Sequence, residues 1–256
     1  FADGMSETKY SMYATIYGNI INVVINALLV FGLFMFPKLG IIGSAIGTLV
    51  ARVFMVIYMH FILAKNKKFK SFFKHFGWQS FQKSMSDKII KLGGPSSMQM
   101  FFEVALFTGA IWLCGMIGTT SQAANQIALS LASLTFMFAM GLSVTAMIRV
   151  ANHKGLDEYK KLNTVAHSIF LMAIIVEIVF AAVFMLGYQF FPAFFVNEEM
   201  ALNATEIKEV LSISSKLLIV AAFFQISDGI QVVVLGALRG LQDVKVPMYL
   251  TFIAYW

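Results

Sequence analysis

Three carboxylates stand where a carboxylate is costly. Glu103 is the only charged residue in 92–148, and Asp228 is the only one in 217–238. Glu177 sits near the middle of a third apolar stretch, 164–187. An acid at a bilayer centre costs roughly 2.5–3.5 kcal/mol on insertion scales, and acids kept there mark ion or proton pathways by default. Glu103 follows Gly94 by nine residues, and Asp228 precedes Leu238 by ten. At 1.5 Å per residue both would lie roughly 14–15 Å from the same membrane face. Two acids at equal depth in a low dielectric can take up a proton near neutral pH or hold a monovalent cation between their oxygens. The competing reading is an acid hydrogen-bonded inside the bundle for packing alone. Glu177 has no partner that the sequence identifies.

Neutral polar side chains accompany the acids. Asn19, Asn22 and Asn26 are three and four residues apart, so they share one helical face. They would either ligate a cation or relay a proton, or simply bond one helix to another, which is common in membranes. Gln99, Gln126 and Gln225 are further candidate ligands, with Gln122, Asn125 and Gln231 nearby. Gln225, Asp228 and Gln231 are three apart and are expected on one side of their helix.

The elements that must position these groups are membrane helices. The chain is 59% hydrophobic and only 12% charged, against about 25% charged in soluble domains. The apolar runs are continuous and lack a period of two, so an all-α polytopic bundle is expected and a barrel is not. Six spans are read at about 11–36, 41–64, 94–117, 122–148, 164–187 and 210–238, and a seventh starts at Pro247. Pro37, Pro95, Pro192 and Pro247 all fall at or beside these ends, where proline is tolerated. Segment 65–91 interleaves Phe and Trp with eight Lys, as an interfacial amphipathic helix would. Gly43 and Gly47 form a small-xxx-small pair suited to close helix packing. Most of the 26 Phe and 16 Met are expected to face lipid or fill the bundle.

Charge gives an orientation. Segments 1–10, 65–91, 149–162 and 239–246 hold 1, 8, 4 and 2 Lys or Arg, 15 of the 19, so these loops are assigned to the cytoplasm. Arg52 lies within a span and is expected to face the bundle or snorkel. The net charge of +6 is thereby a membrane signature rather than a nucleic-acid one. The single cysteine, Cys114, excludes internal disulfides and cysteine metal cages. There is no GxxxxGK[ST] loop and no HExxH, and the four His are scattered, so neither ATP hydrolysis nor a resident cofactor or metal is expected beyond a Na⁺ at Glu103/Asp228. The chain opens FADGMSETK and closes inside an apolar run, so a fragment of a longer protein is expected.

An internal repeat organises the chain. ADGMSETKYSMYAT (2–15) aligns without gaps to LRGLQDVKVPMYLT (238–251). Six spans separate the copies, so both point the same way, as in a parallel repeat of two six-helix lobes. The expected division is 1–64 as the last two helices of lobe one, 65–92 as a basic cytoplasmic linker, and 93–256 as lobe two.

GGPSSMQMFFEVALF (93–107), QAANQIALSLASLTFMFAMGLSVTAMIRVANHKG (122–155) and FFQISDGIQVVVLGALRGLQDVKVPM (223–248) resemble the second lobe of multidrug and toxic compound extrusion (MATE) transporters. Residues 1–32 resemble the entry to the fifth helix of their first lobe. The resemblance implies a twelve-helix, ion-coupled antiporter of the bacterial inner membrane. It would expel small organic cations or amphipathic drugs in exchange for Na⁺ or H⁺, without a cofactor, as a monomer. Glu103 and Asp228 match the family's coupling acids, and Asn22 and Asn26 match a polar pair on helix five. Asn125 stands where many members have His. Two rivals remain: a lipid-linked oligosaccharide flippase, which needs cationic cavity residues, and a structural or channel-like protein, which would tolerate neutralising both acids.

Overall fold

The computed structural model describes residues 2–33, 36–66, 69, 82–196 and 204–256. Among them the regular structure is entirely helical: α1 Thr8–Phe31, α2 Ile41–Lys65, α3 Lys83–Ile117, α4 Thr119–Gly155, α5 Tyr159–Gly187, α6 Ala204–Gly240 and α7 Lys245–Tyr255, with short 3₁₀ turns at Asp3–Met5 and Phe191–Phe195. Six of these, α1 to α6, are long and apolar enough to cross a membrane. The chain divides into two compact units, 1–83 and 84–256. Most of the basic segment expected to form an amphipathic helix lies outside the described residues.

In the first unit α1 and α2 pack as a hairpin. Gly32 and Gly40 carry φ of 69° and 54° at its turn, a backbone that side-chain-bearing residues rarely adopt. The small pair works as expected: a Cβ on Gly43 would come within 2.8 Å of the Leu29 backbone. Arg52 is exposed.

The second unit is built around α4 and α6. Ala124, Ala128, Leu131, Thr135, Ala139, Ser143, Ala146 and Val150 recur every three or four residues along α4, and all are buried. Small side chains let helices approach closely when lipid supplies no hydrophobic drive between them. α6 answers with glycine: Gly236 seats the Ser143 backbone, and the Ser143 hydroxyl donates to the Val232 carbonyl at 2.7 Å. α5 packs on both. Outward faces carry large apolar residues such as Trp112, Met116 and Leu186 at 78–88% exposure, as lipid-facing surfaces do.

Two boundaries differ from the sequence reading. Pro95 lies inside α3, which begins a full eleven residues before the expected span. A proline interior to a helix loses one backbone bond, here the one to the Lys91 carbonyl, and membrane helices tolerate such a loss. The Ser96 hydroxyl donates to the neighbouring Leu92 carbonyl at 3.0 Å. α6 starts at Ala204, not near 210, with Glu206 in its first turn, where an acid suits the helix dipole.

The turn within the two aligned segments has the same backbone in both, and it occurs a third time at a place the sequence reading missed. Ser6, Asp157 and Gln242 have left-handed φ of 59°, 56° and 63°. Each of their N–H groups reaches the carbonyl three residues back, and the next N–H reaches five back: Glu7 to Ala2, Glu158 to His153 and Asp243 to Leu238, each at 3.0 Å. That is a Schellman motif. The sequences DGMSETK (3–9), KGLDEYK (154–160) and RGLQDVK (239–245) share glycine, an apolar residue, an acid and lysine in register.

At the middle copy, Glu158 accepts from Lys161 at 2.6 Å and lies 3.0 Å from the His153 ring nitrogen. The bond from Lys161, with help from His153, holds this carboxyl below its ordinary value. A lowered folded value contributes stability above the unfolded value, about 4.3 for Glu, and loses it as pH falls through the folded value. Glu158→Gln should therefore lower thermal stability slightly at neutral pH and make no difference in strong acid. At the core, Gly236→Val should cost about 1–3 kcal/mol by overpacking α4 against α6, read as a lower unfolding temperature in detergent.

Candidate functional site

The second unit encloses a cavity of about 410 Å³ between α3, α4, α5 and α6. Its walls are mostly apolar, with Val104, Phe107, Leu129, Phe136, Phe224 and Val232 among them. Into it project Glu103 from α3, Glu177 from α5, and Asp228 and Arg239 from α6, with Gln126, Ser130 and Ser133 from α4 and Gln225 from α6.

Helix geometry explains the convergence. Glu103 follows Gln99 by one turn of α3, and Gln99, 1% exposed, accepts a 3.4 Å bond from the Arg239 guanidinium. This tie aims Arg239 along α3 toward Glu103, with which its charge interacts. Asp228, 7% exposed, interacts with the charges of both Glu103 and Glu177. Gln225, one turn before Asp228, accepts a 2.7 Å bond from Thr135, and its Nε2 is buried without a partner among the described residues. No hydrogen bond among the described residues reaches any of the three carboxylates. The described residues contain no group of three His, Cys, Asp or Glu able to hold a metal ion. Acids that line one hydrocarbon-walled cavity without hydrogen-bond donors can be satisfied by protons or by a monovalent cation.

The other sequence candidates divide. Gln126 and Gln225 line the cavity; Gln99 sits beside it, through Arg239. Gln231, three residues from Asp228, does not line the cavity: it donates to the Tyr255 hydroxyl on α7 at 2.9 Å. Six residues turn a helix through about 600°, so Gln225 and Gln231 flank Asp228 and lie about 120° apart. Asn22 and Asn26 belong to the first unit. Asn26 donates to Asn22 at 3.2 Å, and Asn22 donates to Thr48 of α2 at 3.3 Å, so both take part in joining α1 to α2.

Sequence reading missed Arg239 and Tyr255. Arg239 was counted as a loop charge, yet its long side chain runs back from the last turn of α6. Tyr255 lies within electrostatic reach of Glu103 and Asp228. The spacing of Arg239 and Gln99 from their span ends was the available signal, since a long cation at a helix end snorkels in either direction.

A sequence profile of the MatE family matches residues 95–256. The chain is 32% identical to multidrug resistance protein NorM of Photobacterium profundum over 256 residues, all of this chain and 54% of that protein. It is 34% identical to a probable multidrug resistance protein NorM of Bacillus cereus over 258 residues, and 30% identical to multidrug resistance protein MdtK of Yersinia pseudotuberculosis over 254, again at 54% of each relative. The chain thus spans about half the length of the curated relatives it matches. Bacterial relatives and six helices of crossing length mark a multi-pass protein of the inner membrane. The chain belongs to the MatE family, the multidrug and toxic compound extrusion family that its sequence resembles.

Proposed function

We propose that the full-length protein is an antiporter that exports small organic cations or amphipathic drugs in exchange for Na⁺ or H⁺, by transport rather than by enzymatic chemistry. The supporting observation is that Glu103 and Asp228, far apart in sequence, line one apolar-walled cavity with interacting charges. They are the coupling pair. Cation or proton binding there changes the relative stability of two facing states, and cargo release follows. A shift from 1:99 to 99:1 requires roughly 5.5 kcal/mol of differential binding; an ion with equal affinity for both states would move nothing. The names of the relatives as multidrug resistance proteins support the cargo class.

Residues 1–64 are the last two helices of lobe one, and 93–256 the bulk of lobe two, joined by the basic linker. Segments 65–91, 149–162 and 239–246 face the cytoplasm. The flippase reading is disfavoured because, among the described lining residues, one guanidinium meets three acids, a balance suited to cations and not to pyrophosphate.

The test is efflux of a fluorescent cationic dye from vesicles carrying the full-length protein. Glu103→Gln and Asp228→Asn should each lower ion-driven efflux by roughly 5–150-fold, the span of ordinary coupling energies. Unchanged efflux in both variants would remove the pair from the mechanism. Varying Na⁺ at fixed pH, and pH at fixed Na⁺, identifies the coupling ion.

A further inference from the structure

A second cavity lies in the first unit, apart from the acids. It is a cleft of about 730 Å³ between Tyr10, near the start of α1, and the last three turns of α2. On α2 its lining recurs every three or four residues: Phe54, Ile57, Tyr58, Phe61, Ile62 and Lys65 share one face. The order along that face matters. Rings and hydrocarbon come first, and the Lys65 ammonium comes last, where α2 ends, about 16 Å from Phe54 at 1.5 Å per residue.

Rings build the wall. Phe54 stacks on Tyr58 at 5.9 Å between centroids, and Tyr58 meets Tyr17 of α1 edge-on at 5.6 Å. At the charged end Asn66, next to Lys65 in the chain, donates to the Tyr10 hydroxyl at 3.0 Å. That bond uses a lone pair of Tyr10 and leaves its O–H to donate elsewhere. Neither the Tyr10 O–H nor the Lys65 ammonium has an acceptor among the described residues, and no acid is among the described residues lining the cleft. Helix dipoles do not set the sign here, because the positive start of α1 and the negative end of α2 meet. The side chains set it. Lys9 already stands 5.3 Å over the Tyr10 ring, the face that would attract another cation. An organic cation would also meet Lys65 with no acid to offset it. An apolar body with an anionic head meets neither difficulty.

The membrane supplies such a molecule. The hydrocarbon core ends near the end of a span, so an acyl chain can lie against Ile57 and Phe61 while its phosphate stays at the interface beside Lys65. Anionic lipids of the cytoplasmic leaflet are drawn to basic segments that adjoin a span, and the sequence follows Lys65 with Lys67, Lys68 and Lys70.

We propose that this cleft seats one anionic phospholipid of the cytoplasmic leaflet. The Lys65 ammonium and the Tyr10 O–H take its phosphate, and an acyl chain lies along Phe54, Ile57 and Phe61. The inference does not depend on the coupling pair; it uses only the cytoplasmic assignment of segment 65–91.

The experiment strips loosely held lipid from the purified full-length protein in detergent. It then offers an equal mixture of phosphatidylglycerol and phosphatidylcholine and counts the retained lipid by native mass spectrometry. The two lipids share a phosphate and differ in net charge. The wild type should retain phosphatidylglycerol in preference. Lys65→Gln, at an exposed position, should lower that preference about fivefold, the effect of one lysine beside an anionic headgroup, and Lys65→Arg should keep it. Tyr10→Phe keeps the ring, removes only the O–H, and should lower retention of both lipids. Lys88→Gln, at an exposed lysine of the second unit, should change nothing. Equal retention of the two lipids by the wild type overturns the proposal; a cleft covered by the rest of the full-length protein would give that result. Unchanged preference in Lys65→Gln or unchanged retention in Tyr10→Phe overturns it as well. So does an equal loss in Lys88→Gln, which general attraction to a basic surface would produce.

Discussion

Close approach to α6 is the constraint on which the second unit depends. Gly229, Gly236 and Gly240 each admit a different neighbour: the Glu177 carboxyl, the Ser143 backbone and the Met147 carbonyl. No side chain larger than hydrogen fits at these positions without displacing what it meets. The small-residue stripe of α4 has the same cause, because neither helix gains from burying oil against oil in a bilayer and both gain from contact. Once α4 and α6 are in contact and α5 lies on both, Asp228 and Glu177 are neighbours by construction. α3 then closes the remaining side through aromatic contacts, Phe102 with Phe252 and Phe107 with Phe224, and through the Arg239–Gln99 bond.

That construction explains why the cavity tolerates acids. Its walls are hydrocarbon, and it offers a single guanidinium against three carboxyls among the described lining residues. A site with more donors would hold its anions permanently satisfied and would have little reason to bind anything. A site with none would be too costly to fold. The arrangement lies between: packing supplies the geometry and leaves the charge incomplete. Arg239 is tied to Gln99 on α3, so neither Asp228 nor Glu177 receives a donor among the described residues. Asp228 also has the most acidic neighbours.

Much of this was legible in the sequence. Charge scarcity isolated Glu103 and Asp228, which line one cavity, because that argument uses only composition. Gly43 and Gly47 were readable as packing residues for the same reason. What was not legible depends on rotation and reach. Glu177 had no visible partner, since its partner is a glycine backbone on another helix, and a glycine gives no pattern to read. Arg239 looked like a loop charge, because its Cα is at a span end and only its side chain is in the site. Gln231 flanks Asp228 but falls outside the cavity, because a spacing of three drifts around a helix over two repeats. Pro95 misled for a different reason: membrane helices accept an interior proline, so a proline there is weak punctuation.

The thrice-used Schellman turn has a consequence for ancestry. Its copies are separated by four long helices and then by two, always an even number. A pair of antiparallel helices ending in this turn can therefore be inserted or lost as a cassette without inverting anything downstream. The hairpin, rather than the whole lobe, is the smallest unit that gene duplication could copy while preserving sidedness. The shared glycine, apolar residue, acid and lysine at each copy would then be the worn seam left by that copying.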